Sequence, residues 1–151
     1  MAMALTTDLK VIVFQIDGKE YAVPVAQVRS IEKVQHITRV PHTFPFVKGV
    51  INLRGVVTPV IDLRIRFGLN EADYTESTRV VIVSIGDNEA GLIVDAANDV
   101  IDIPSAMIEP PPEIVGSVAS EYIEGVAKID KRLMILIDLE NVLSSKQAKE
   151  L

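Results

Sequence analysis

Apolar positions along the chain fall in short runs that Gly, Asp, Asn and Pro interrupt, which is the pattern of strands and tight turns and not of long helices. The most informative stretch is residues 49–63, GVINLRGVVTPVIDL. Val50, Ile51 and Leu53 make one β-patterned run and Val56, Val57, Val60 and Ile61 a second, so the pattern predicts two largely buried strands bent at Arg54-Gly55. Gly55 suits a tight hairpin, which usually needs a residue at positive φ. Pro59 has no amide proton, so it predicts either a sheet edge or an amide position facing away from a neighbour. Asp62 offers a carboxylate to cap a helix beginning LRIRF.

The same pattern returns 76 residues later, where Gly125, Val126, Ile137, Asp138 and Leu139 repeat Gly49, Val50, Ile61, Asp62 and Leu63 in register. The charged turn Asp130-Lys131-Arg132 replaces Arg54-Gly55-Val56 at the bend. A second correspondence joins FQIDGKEYAV, from residue 14, to VSIGDNEAGLIV, from residue 83; both read as strand, turn, Glu, strand. Together they predict an internal duplication, with one subdomain design used twice and a second unit at roughly 79–137 within a single domain spanning 1–151.

Residues 9–16 are apolar enough for a central strand, Asp17-Gly18-Lys19 turns it, and Glu20 to Val23 returns. Pro24 suits a first helical turn, and Val25, Val28 and Ile31 in VAQVRSIEK stand at helical spacing, which predicts a short helix. Residues 34–46 read as an irregular crossing between subdomains, and 68–78 as a polar loop. Strands are expected at 79–85 and along GLIVDA, where Gly91 suggests close approach of another backbone, and a further short one along ANDVIDI. The prolines of PSAMIEPPPEIVG predict a long surface loop without regular structure. Strands at 123–129 and 133–137 and an amphipathic C-terminal helix, LENVLSSKQAKE, complete the chain. About ten short strands in two sets of five suggest two small barrels.

With 151 residues, 48% of them hydrophobic, the chain can bury a substantial core. The absence of cysteine excludes disulfides, thiolate metal sites and cysteine nucleophiles. The N-terminus lacks a basic start followed by a sustained apolar stretch, and no apolar run approaches the roughly 20 residues of a membrane span, so a cytosolic protein without membrane insertion is expected. Net charge is −6 but unevenly spread: residues 1–70 carry nine Lys/Arg against five acids, and 71–151 carry six against sixteen. Two unlike faces suit two partners, although drift in a solvated surface gives the same count.

Catalytic chemistry finds little footing. His36 and His42 lie in a proline-broken stretch without metal-ligand spacing, no GK[ST] follows the glycines at 49 and 55, and no serine has an adjacent-base pattern. Asp62 and Asp138 could form a carboxylate pair, but each occupies the capping position of its own repeat. No cofactor or metal is expected. Nucleic-acid binding would need a basic groove with stacking aromatics, whereas aromatics are 5% of residues and pI is about 4.9.

GVINLRGVVTPVIDLRIRFG, with VFQIDGKEYAVPVAQVRSIE and TRVP upstream and GLIVDAANDV downstream, closely resembles the bacterial chemotaxis coupling proteins of the CheW family. That resemblance implies two five-stranded SH3-like β-barrels around a shared hydrophobic groove. It also implies a non-catalytic cytoplasmic adaptor linking chemoreceptor cytoplasmic tips to the regulatory domain of the histidine kinase CheA, recruited to membrane-associated receptor arrays. A detached regulatory domain of a CheA-type kinase would share the fold. The resemblance assigns the receptor-facing surface to Val28, Gly49, Arg54, Ala97 and Val100, and the kinase contact to Glu113 and Ile114. In some relatives an acidic residue at the position of Ser30 pairs with the arginine of NLRG; here Glu32 is the available substitute for a pair with Arg54.

Overall fold

The computed structural model describes residues 8–111, 114–115 and 118–144. In chain order the strands are β1 Asp8–Ile16, β2 Lys19–Pro24, β3 Val28–Lys33, β4 Val47–Leu53, β5 Val56–Asp62, β6 Arg79–Ile85, β7 Asn88–Val94 and β8 Ala96–Pro104. They continue with β9 Ile108–Glu109, β10 Ile114–Val115, β11 Val118–Ala119, β12 Ile123–Ile129 and β13 Arg132–Ile137. Two short helices, α1 Leu63–Arg66 and α2 Leu139–Leu143, follow the two central hairpins. The expected C-terminal helix is shorter than LENVLSSKQAKE, since α2 stops at Leu143 and Ser144 is extended; residues 145–150 lie outside the described residues.

The helix expected over VAQVRSIEK does not form. Pro24 enters extended (φ −60°, ψ 137°), a single 3-10 turn covers Val25–Gln27, and β3 follows with Val28, Ser30 and Glu32 half-buried and Arg29, Ile31 and Lys33 exposed. Alternation of period two wins because β3 pairs antiparallel with β6 along its length, a tertiary partner that local spacing does not reveal. The same device recurs at Pro104, where a 3-10 turn at Ser105–Met107 leads into β9. PSAMIEPPPEIVG is therefore no featureless loop: its prolines bracket regular elements rather than interrupt them, and β10 pairs with β11 further on. Val56 and Val57, read as buried, are 55% and 66% exposed; adjacent residues on a strand face opposite ways, and this end of β5 projects beyond the core. β5 is an inner strand, and its parallel ladder with β7 begins at Val60, one residue past Pro59.

The six-stranded sheet runs β8-β1-β2-β13-β12-β9, and the five-stranded sheet runs β3-β6-β7-β5-β4. Each is bridged by its own chain. The outermost strands β8 and β9 are joined by the turn at Ser105–Met107, and β3 runs on to Thr38, whose backbone exchanges two 2.9 Å hydrogen bonds with Val50 of β4. This is the expected two-barrel, SH3-like design, but the sheets draw their strands across the repeats. The first hairpin, β1–β2, meets the second central hairpin through the parallel pair β2 and β13, and the first central hairpin meets β7 in the same way.

The duplication reads atom by atom. Asp62 and Asp138 donate their amides to the Phe46 and Tyr122 carbonyls, both at 2.9 Å, and each caps its helix through its carboxylate. Arg54 and Asp130 both take positive φ, at 54° and 56°. Gly49 and Gly125 both follow a register shift, and the closing segment passes directly over each. A Cβ on Gly49 would lie 2.1 Å from the Thr38 carbonyl oxygen, and one on Gly125 2.9 Å from that of Glu109. Gly91 makes room for the Val80 and Ile82 side chains, not for another backbone.

Barrel interiors are small: Val11, Val13, Ala22, Ile103, Ala127, Met134 and Leu136 in one, Ile51, Val60, Val80, Ile82 and Ile93 in the other. The main core lies between the sheets, with rings stacked from Phe14 through Tyr21 to Phe67 and Tyr122 tilted against the last. Arg66, only 6% exposed, sits there with its guanidinium 4.0 Å from the Phe46 ring and 5.0 Å from that of Tyr122. It donates to the carbonyls of Asn141, Val142 and Ser144 at the end of α2, and burial pulls its pKa below the ordinary arginine value.

Gly49→Ala should destabilise by about 2–4 kcal/mol, because both its positive φ and the Thr38 backbone oppose a methyl, and Gly125→Ala by about 1–2 kcal/mol. Urea unfolding of the two variants gives the comparison, and equal losses would contradict the closer approach and positive φ assigned to Gly49.

Candidate partner-binding surface

The tip of the central hairpin, β3 and β6 enclose a shallow cleft of about 550 Å³. Val28, Leu53, Val56, Thr58 and Ile82 line it together with Arg29, Ser30, Arg54 and Glu89, so apolar and polar groups share the surface. Val28 reaches it because the 3-10 turn after Pro24 delivers the chain to the sheet edge with that side chain turned inward. Thr58 is buried and Ile82 belongs to the barrel interior, so the floor is part of the packed barrel while the rim arginines, Arg29 and Arg54, are exposed.

Arg54 and Gly55 form the two-residue turn between β4 and β5, with Leu53 opposite Val56 and φ of 54° and 85°. The Asn52 Oδ1 accepts from the Gly55 amide at 2.9 Å and holds the bend. Two positive φ values favour Asn-Gly or Asp-Gly, so an arginine here works against the backbone. Its guanidinium is 78% exposed and stands 3.9 Å from Glu32 Oε2, a loose pair worth about 0–1 kcal/mol. Glu32 does not lie one helical turn beyond Val28; the register shift between Val28 and Ser30 sets it opposite Val80, on the other face of β3 from Val28, where it still approaches Arg54. Arg29 and Glu89 pair across the cleft at 3.4 Å.

The other residues singled out by resemblance sit differently. Ala97 is half-buried against the inter-sheet core that Val28 also touches, and Val100, farther along β8, is 58% exposed. Neither lines the cleft. Gly49 is buried beneath Thr38 and presents no side chain. Ile114 starts β10, opposite Ala119, and Glu113 lies outside the described residues. Sequence reasoning missed Ile82, Thr58 and the Arg29–Glu89 pair. Nothing local marks these, but Val56 beside Val57 did carry a signal, since only one of two neighbours on a strand can face the core.

Electrostatics outside the cleft are structural. Burial raises the Asp62 carboxyl above its ordinary value, against the hydrogen bonds it accepts from the Arg64 and Ile65 amides. Burial opposes ionisation of Asp95 as well, but the Arg64 hydrogen bonds and charge and the Asp17 amide outweigh it and hold that carboxyl below the usual range. His36 and His42 are both exposed, and among the described residues no group of three His, Asp or Glu is placed to hold a metal. Charge follows the sheets. Residues 25–94, which build the five-stranded sheet, carry eight Lys/Arg and seven acids, whereas 8–24 and 95–144 carry five and thirteen.

A family model described as a CheW-like domain matches residues 10–147. The chemotaxis protein CheW of Bacillus subtilis is 48% identical over 149 residues, 99% of this chain and 96% of that protein. The chemotaxis protein CheW of Klebsiella aerogenes is 35% identical over 142 residues, 94% of this chain and 86% of the relative. Among solved structures, the scaffolding protein TtCheW from Thermoanaerobacter tengcongensis aligns with a TM-score of 0.84 at 38% identity, covering 91% of this chain and 89% of the other.

Replacing the strained arginine should not harm the fold. Arg54→Gly is expected to keep or raise stability by about 0–1 kcal/mol, and Arg54→Val, β-branched at positive φ, to lose about 1–2 kcal/mol, both read by thermal unfolding.

Proposed function

The chain belongs to the CheW-like domain family, and from that premise we propose that it is a non-catalytic adaptor that couples chemoreceptors to the histidine kinase CheA in bacterial chemotaxis. The observation that carries this reading is likeness along the whole chain to chemotaxis CheW proteins and to a scaffolding protein of the same fold. No helix among the described residues is long and apolar enough to cross a membrane, which suits a protein brought to arrays by its partners. It works in the cytoplasm at receptor clusters.

Receptor tips meet the surface that includes Val28, Arg54, Ala97 and Val100. An apolar floor beside an exposed guanidinium fits an amphipathic helix with a carboxylate on its flank, since Arg offers a planar, permanently charged donor fork. Gly49 contributes by closing the barrel beneath this surface and not by contact. The CheA regulatory domain meets the segment that carries Glu113 and Ile114. The one domain of 1–151 thus serves two partners.

A ternary assay of receptor fragment, adaptor and kinase tests this. Arg54→Gly should lose kinase control while melting at or above the wild-type temperature; full control by this variant would refute the receptor surface, and loss of kinase affinity without loss of receptor affinity would reassign it. Raising salt should slow association with either partner more than it speeds dissociation, because rim charges steer encounter. Binding to a kinase but to no receptor fragment would favour a detached regulatory domain.

A further inference from the structure

Two arginine networks grip one short crossover, residues 95–99, where the chain passes from β7 in the five-stranded sheet to β8 in the six-stranded one. At its start Asp95 accepts from Arg64 of α1, Nε at 3.0 Å and Nη2 at 2.6 Å, and from the Asp17 amide at 2.8 Å. At its end Asp99 accepts from Arg132 Nη2 at 3.2 Å, and Arg132 is itself held by both Glu20 oxygens, at 3.0 and 2.8 Å. The first network ties the crossover to one sheet's helix, the second to the β12–β13 turn of the other.

Between these grips β8 changes register against β1. Ala97 faces Phe14, while Asp99 faces Val13, so residue 98 is one extra in the strand. Three residues apart on a regular strand, Ala97 and Val100 would point to opposite faces. The bulge puts both on one face, opposite Phe14 and Ile12, which belong to the inter-sheet core, while Ile101 and Ile103 turn into the barrel interior. A bulge leaves its extra residue out of the ladder, so its position needs holding from outside.

We propose that Arg64 and Arg132 are positioning residues that pin the β8 bulge through Asp95 and Asp99, and so hold Ala97 and Val100 on one receptor-facing surface. This rests on the receptor surface proposed above. Neither arginine needs to touch a receptor.

The test compares Arg64→Met, Arg132→Met, Arg132→Lys and the milder Asp99→Asn with a contact control, Val100→Ser. Amide exchange over residues 96–101, melting temperature, and affinity for a receptor fragment and for the kinase are measured on the full chain. The arginine variants should exchange faster at 96–101 and bind receptor about threefold to tenfold more weakly, with kinase affinity unchanged. Arg132→Lys should recover only part of the loss, lacking the fork that grips Glu20. Faster exchange with wild-type receptor affinity, when Val100→Ser does weaken binding, overturns the positioning role alone. Wild-type affinity in Val100→Ser removes the receptor surface and the proposal with it. Unchanged exchange, or loss of both partners in proportion to unfolding in every variant including Asp99→Asn, also overturns it.

Discussion

Neither barrel encloses enough apolar surface to stand alone, and the rest of the molecule follows from that shortage. Among the described residues, interiors of seven and five buried residues compare with nineteen in the core between the sheets, so folding energy is concentrated where the barrels meet. Arg66 shows how tightly that meeting is organised. Its guanidinium lies between Phe46 and Tyr122, which hold the same place in the two repeats, while its donors close the end of the second repeat's helix. Its own counterpart is Val142, so the duplicated design is broken at the junction, where a single charge serves both copies.

How much of this was legible depended on the range of the forces involved. Hairpins at Asp17-Gly18, Arg54-Gly55 and Asp130-Lys131 were readable because their turn chemistry is local, and so were the Asp62 and Asp138 caps. The duplication was readable because two copies of one pattern reinforce each other. Partnership between the copies was not: nothing near Glu20 announces that its strand will lie parallel to one at Met134. β3 was misread as a helix for the same reason, since Val25, Val28 and Ile31 satisfy both periods and only the neighbouring β6 decides.

The site residues divided along the same line. Arg54 stood out because a charged residue at a turn has no packing reason to be there, and its positive φ sharpens the point. Gly49 stood out through the resemblance alone; what demands a glycine there is the carbonyl arriving from Thr38, which the local sequence does not announce. The cleft floor at Ile82 and Thr58 could not be seen at all, because β6 and β5, which carry them, are brought together only by the five-stranded sheet and not by local sequence.

The exchange of hairpins also sets an order of events in time. The strands of the five-stranded sheet lie between residues 28 and 94 and have all left the ribosome before the closing strands of the other sheet are made. The six-stranded sheet needs β1 and β2 from the start of the chain and β12 and β13 from near its end. The first hairpin to be made is therefore among the last to find its partners, and Val11, Val13 and Phe14 must stay out of other associations for most of synthesis. A protein that serves as a static connector once folded is, while being made, a chain whose opening segment waits for its closing one.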